Sequence, residues 1–217
     1  MNNDYVISEL MISRLCHDIS SPIGAVNNSI ELINEGDSDI TEQAEILLRD
    51  NASDAIARLN FYKVAYGLST YDIKDISKIR EIVSDYFAND KLDLTWSVSD
   101  DSVNLKNIFV GGFTKLFFNI IIISKAAALI KGNFEINFIN EKRINFSAKS
   151  TRIMKPEYFD LLDDLNAEVK LSDMTVHNVN YYVISLLNNF DNIKLTYSIN
   201  TSDDHSIEDD FSITVEL

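Results

Sequence analysis

Apolar residues recur every three or four positions from about Tyr5 to Glu35. Ile12, Leu15, Ile19, Ile23, Val26, Ile30 and Ile33 fall on one face of a long helix. The polar stretch "EGDSD" breaks the pattern, and Asp39 with Glu42 three residues on carries the capping-box signature of a second helix. Its stripe of Ala44, Leu48, Ala52, Ala55, Leu59, Tyr62 and Tyr66 runs up to Gly67, which is placed to end it. Two long helices on a short connection predict an antiparallel hairpin. One hairpin cannot cover both stripes. Two hairpins make a four-helix bundle, so a homodimer is expected; the alternative is that the rest of the chain covers them.

Beyond residue 70 the period changes repeatedly. "ISKIREIVSDYF" reads as helix and "LDLTWSV" as a strand of period two. "IFVGGFTKLFFNIIIISKAAALIK" holds a buried helix, and "FEINFIN" and "INFSAKS" form a hairpin joined through "EKR". "KPEYFDLLDDL" reads as a short helix with Pro156 near its start. "VHNVNYYVISLLNNF" is a further helix, and "IKLTYSI" and "FSITVEL" close the chain as a strand pair. The fold class is α+β, with a helical hairpin over residues 1–69 and a two-layer α/β sandwich over 70–217.

Composition narrows the function. The chain has 217 residues, 46% of them hydrophobic and 24% charged, enough to bury a substantial core. A net charge of −15 repels phosphate backbones and argues against nucleic-acid binding. Cys16 is the single cysteine, so no intrachain disulfide or cysteine zinc cluster can form, and it is most simply a packed thiol. "MNNDYVISEL" lacks the basic start and apolar run of a signal peptide, and the apolar run "FFNIIIISKAAALI" is shorter than a membrane span and contains Lys125. A cytoplasmic protein with no membrane association is expected.

The segment "RLCHDISSP" is the anomaly, because it sets a proline inside a helical pattern at a cost of about 3 kcal/mol. At about 100° per residue, His17 points about 160° away from both Leu15 and Ile19, opposite the apolar stripe. Its neighbours on that face are Ser13, Arg14, Ser20, Ser21 and Gly24, four of them small enough for a second protein to approach closely. Asp18 can accept a hydrogen bond from one ring nitrogen, which leaves the other nitrogen's lone pair free to attack. Pro22 removes the helical partner of the Asp18 carbonyl, so a bend is expected just past the histidine. Arg14 could pair with phosphate oxygens. On geometry alone, a solvated surface histidine and a proline that merely shapes a bundle are the commoner outcomes.

"HDISSP" resembles the phosphoacceptor box of two-component histidine kinases, in which histidine is followed by an acid and then, four and five residues on, by a small polar residue and proline. His17, Asp18, Ser21 and Pro22 fill those places. "RLCHDISSPIGAVNNSIELI" is more similar still to the ChpT-like histidine phosphotransferases of alphaproteobacteria. That resemblance implies a dimeric hairpin followed by a domain shaped like a kinase ATP-binding domain that has lost its nucleotide site. It implies catalytic roles for His17, Asp18 and Ser21, and a partner surface around Ser13, Arg14, Ser20, Pro22 and Gly24. The implied partners are receiver domains of a hybrid histidine kinase and of response regulators, which would bring the Mg2+ ion. The chain would need no cofactor of its own.

The residues bear on the nucleotide site directly. Kinase ATP loops need glycine, because backbone must approach phosphate closely. The chain has six glycines and none after Gly132, where those loops would lie. Of the two asparagines that the kinase pattern sets four apart, Asn119 matches the first, but Ile123 stands where the metal-holding one should be. No ATP binding is therefore expected. His177 opens a helix and His205 sits in the acidic loop "TSDDHSIEDD", where a solvated turn is the simpler reading than a metal site. The expected function is a histidine phosphotransferase relaying a phosphoryl group through His17. The rival is a kinase-like dimer that binds or sequesters response regulators without carrying phosphate.

Overall fold

The computed structural model describes residues 3–36, 38–67, 75–99, 105, 108–109, 112–128, 131–150, 171–191, 193–201 and 209–217. The expected helix over "KPEYFDLLDDL" and the loop around His205 lie outside the described residues. Helix α1 spans Asn3–Glu35 and α2 spans Ser38–Tyr66. They pack along one another as the hairpin that their stripes predict. Gly36 makes the turn at a φ of 78°, a left-handed conformation that costs glycine little. At the far end Gly67 donates its N–H to the Lys63 carbonyl at 3.0 Å and closes α2.

The second part follows as α3 (Ile76–Phe87), β1 (Leu92–Val98), α4 (Phe113–Ala127), β2 (Gly132–Asn140), β3 (Arg143–Ser150), a 3-10 turn (Leu171–Asp173), α5 (Val179–Asp191), β4 (Lys194–Asn200) and β5 (Asp209–Glu216). Asp75 caps α3 by accepting from the Ser77 N–H at 2.9 Å. The five strands form one sheet in the order β1-β2-β3-β5-β4. The β1–β2 pair is parallel, with α4 in the connection, and the other pairs are antiparallel. Gly132 is required where β2 meets β3: a Cβ there would lie 1.9 Å from the Lys149 carbonyl oxygen.

Strand alternation puts Phe134, Ile136, Phe138, Ile144, Phe146, Ala148, Phe211, Ile213 and Val215 on one buried face. Helix α4 lies on that face, with Phe117 against Phe146 at 5.2 Å between ring centroids. Because α4 has the sheet on one side and α2 and α5 on others, it is buried along most of its length, which fits its largely apolar sequence. The core continues into the hairpin: Phe61, Tyr62, Val64 and Ala65 of α2 belong to the same buried cluster as the sheet residues, and Leu15 of α1 packs against it. The second part thus covers one end of the hairpin. On the faces of the hairpin turned from that core, Ile12, Ile23 and Ile30 of α1 and Ile46, Leu47, Ile56 and Leu59 of α2 are exposed.

Candidate functional site

Helix α1 passes through "RLCHDISSP" without interruption, with Pro22 inside it. The Asp18 carbonyl, which Pro22 deprives of its helical N–H, accepts instead from Arg58 Nη1 of α2 at 3.2 Å. Arg58 is held by Asp54, one turn earlier, through Nε to Oδ2 at 2.9 Å. The defect is therefore repaired from the neighbouring helix, and a buried carbonyl stays paired.

His17 projects from the opposite face with its side chain 66% exposed, whereas the Asp18 side chain, one residue on, is 14% exposed and turned toward α2. The Asp18 carboxylate organises the site. Its Oδ1 lies 3.0 Å from His17 Nδ1. Its Oδ2 accepts from Arg14 Nε at 2.9 Å and from the Tyr62 hydroxyl. Burial pushes this carboxyl upward. The Arg14 charge and the hydrogen bonds from Tyr62, His17 and Arg14 outweigh that effect and hold it below the usual carboxylate range. Burial, with Tyr86 and Asp18 nearby, raises the Tyr62 phenol well above its ordinary value, so it stays protonated and donates. An ionised Asp18 can only accept, so in the neutral imidazole His17 Nδ1 carries the proton and Nε2 the lone pair.

Ser13, Ser20, Ser21 and Gly24 are exposed on the histidine face, and a Cβ added at Gly24 would meet nothing within 4 Å. The Ser20 hydroxyl donates back to the Cys16 carbonyl at 2.6 Å. Three sequence expectations need correction. Pro22 is buried rather than presented on the surface. Arg14 does not face outward toward phosphate. Its side chain is 15% exposed, its Nε is spent on Asp18, and its Nη1 donates to the His177 carbonyl at 3.4 Å. Cys16 is exposed rather than packed.

The most informative feature that the sequence did not reveal is His177. It lies in the turn before α5, and its ring is perpendicular to that of His17, 5.9 Å between centroids at 86°. Nearby, a polar node fastens the two parts together. Asn180 of α5 donates through Nδ2 to the Tyr66 hydroxyl at 2.7 Å and to Asn119 Oδ1 at 2.9 Å. Asn119 in turn donates to the Ala65 carbonyl at 3.1 Å. The one asparagine that matches the kinase pattern thus ties α4 to the end of α2, and Ile123 is buried in the core. Among the described residues, no group of three or more histidine, cysteine or acidic side chains is arranged to hold a metal, and no helix is long and apolar enough to cross a membrane.

The class of protein that the fold and site define is a helical hairpin bearing an exposed, acid-paired histidine, joined to a five-stranded α/β layer, and comparison with known proteins supplies its family. The profile described as "Histidine phosphotransferase C-terminal domain" matches residues 76–203, and the chain belongs to that family. Protein phosphotransferase ChpT of Brucella abortus (strain 2308) is 39% identical over 92 residues, covering 42% of this chain and 43% of that protein, so the match spans less than half of each. A solved bacterial phosphotransferase superposes with a TM-score of 0.72 at 27% identity, covering 97% of this chain and 95% of the other. The mycobacterial sensor histidine kinase MprB superposes with a TM-score of 0.40 at 9% identity, covering 65% of this chain and 91% of the other.

Proposed function

We propose that this protein is a histidine phosphotransferase that passes a phosphoryl group between receiver-domain aspartates by way of His17. One observation carries the reading: an exposed imidazole whose Nδ1 lies 3.0 Å from the Asp18 carboxylate, which leaves Nε2 as the nitrogen to attack. In the first half-reaction Nε2 attacks the phosphorus of an aspartyl phosphate. The N–P bond forms, the O–P bond breaks, and the receiver's carboxylate leaves with the bonding pair. The Nδ1 proton remains on the ring, which becomes a phosphoimidazolium facing Asp18. Attack by a second receiver's aspartate reverses these changes. Catalysis is chiefly positioning and charge neutralisation, with the metal ion contributed by the receiver.

The receiver would approach over Ser13, Ser20, Ser21 and Gly24, whose low profile lets a globular domain reach the ring. Ser21 can donate to the phosphoryl group. The exposed isoleucines and leucines of the hairpin support a homodimer through a four-helix bundle. The test is incubation with a receiver carrying labelled aspartyl phosphate. Acid-labile label should appear on wild-type protein at His17 and be absent from His17→Ala. Relay by His17→Ala at the wild-type rate would instead favour a receiver-binding scaffold.

A further inference from the structure

We infer that His177 is a second functional imidazole of this site, contributing a ring N–H to the phosphoryl group that His17 carries; the inference rests on the phosphotransferase reading above. A phosphoryl group on Nε2 brings oxyanions that need donors, and such donors act best when fixed in place beforehand. The arginines nearest the ring are already committed. Arg14 holds Asp18 and the His177 carbonyl, and Arg58 holds Asp54 and the Asp18 carbonyl. The Ser20 hydroxyl is spent on the Cys16 carbonyl. Among the described residues, the ring that stands beside His17 is that of His177, 5.9 Å away between centroids with the two ring planes perpendicular. A phosphoryl group extends outward from Nε2 by two bond lengths, a reach comparable with the gap between the two imidazoles.

The position of His177 is built rather than incidental. The Thr175 N–H and hydroxyl both donate to Asn178 Oδ1, the hydroxyl at 3.1 Å, and the His177 N–H donates to Thr175 Oγ1 at 3.3 Å. Val179 N–H closes the turn onto the Thr175 carbonyl at 3.0 Å. Arg14 then anchors this turn to α1 through the His177 carbonyl, while the same guanidinium holds the carboxylate that orients His17. One side chain therefore ties the backbone turn that carries His177 to the carboxylate that orients His17. No proton is transferred in this role: the His177 N–H donates to a phosphoryl oxygen while the N–P bond forms and persists.

The experiment uses the full chain and phosphoramidate as donor, so that it does not depend on the identity of any receiver. Nε2 attacks phosphorus, the N–P bond to ammonia breaks, and ammonia leaves. Phosphorus-31 NMR follows the yield and lifetime of phosphohistidine, and nitrogen-15 labelling follows the His177 ring. We expect His177→Ala to lower the rate of phosphohistidine formation and shorten its lifetime by about five- to tenfold, and His177→Gln, which keeps an N–H donor, to recover most of the loss. The His177 ring nitrogens should shift when wild-type protein is phosphorylated, a response that a purely structural role would not give. Unchanged yield and lifetime in His177→Ala, with unmoved His177 resonances, would overturn the inference while leaving His17 as phosphoacceptor. Absence of phosphate on His17 in wild-type protein would overturn both.

Discussion

Asp18 performs several tasks at once. It fixes the His17 tautomer, neutralises Arg14, accepts from Tyr62, and through its backbone carbonyl binds Arg58. Asp18→Asn keeps the shape but removes the charge, and its amide cannot accept from all three donors. Phosphotransfer should fall by about 10²-fold as the ring loses its fixed orientation. Stability should fall by about 2 kcal/mol near neutral pH. Because the folded carboxyl is held below its ordinary value, its stabilisation is full above about pH 4, the unfolded value, and fades as the pH falls through the lower folded value. Urea unfolding of both proteins at about pH 7 and about pH 3 should show the gap narrowing in acid. A gap of the same size at both would mean that the carboxylate's charge is not its source. His17, Asp18 and Pro22 were legible because they are neighbours in the chain. Arg58, Tyr62 and His177 reach the same place from 40, 44 and 160 or so residues away, and no local spacing signals that.

At the scale of elements, the long helices and the alternating strands were the readable part. Their periods persist over many residues, and each strand has one face on the core. Sheet order was not readable, since β5 inserts between β3 and β4 through pairings that no single strand encodes. The apolar side chains of the hairpin have two fates. Near α2's C-terminal end one face is covered from within the chain, by α3 and α4. On other faces, Ile23 of the α1 stripe is 53% exposed and Ile56, outside the α2 stripe, 61%. If these residues form the seam between two copies, Ile23→Glu and Ile56→Glu should place charges in it that cannot be solvated. Light scattering on wild-type protein should give twice 24.6 kDa, and the doubly substituted protein should give 24.6 kDa with its helical signal retained. A wild-type mass of one chain at all concentrations would exclude the bundle.

At the scale of the molecule, the boundary placed at residue 69 from the change of period falls outside the described residues, yet the core on either side of it is continuous. Phe61 is the joint. It is fully buried, stacked on Tyr86 of α3 at 3.9 Å and against Phe118 of α4 at 4.7 Å. Asn119 and Asn180 add directional bonds beside it, so the site formed by His17 on one part and His177 on the other keeps a fixed geometry. Such a joint should make hairpin and sheet unfold together. Trp96, the sole tryptophan, sits in β1 against Phe117 and Phe138 and reports on the sheet, while circular dichroism is weighted toward the long helices. At fixed protein concentration the two probes should trace one transition. Phe61→Ala should cost about 3–5 kcal/mol and lower both midpoints equally. Two separate transitions in wild-type protein, or a Trp96 midpoint unmoved by Phe61→Ala, would mean that the parts are independently stable. A fixed relation between the two histidines could then not be maintained by the joint.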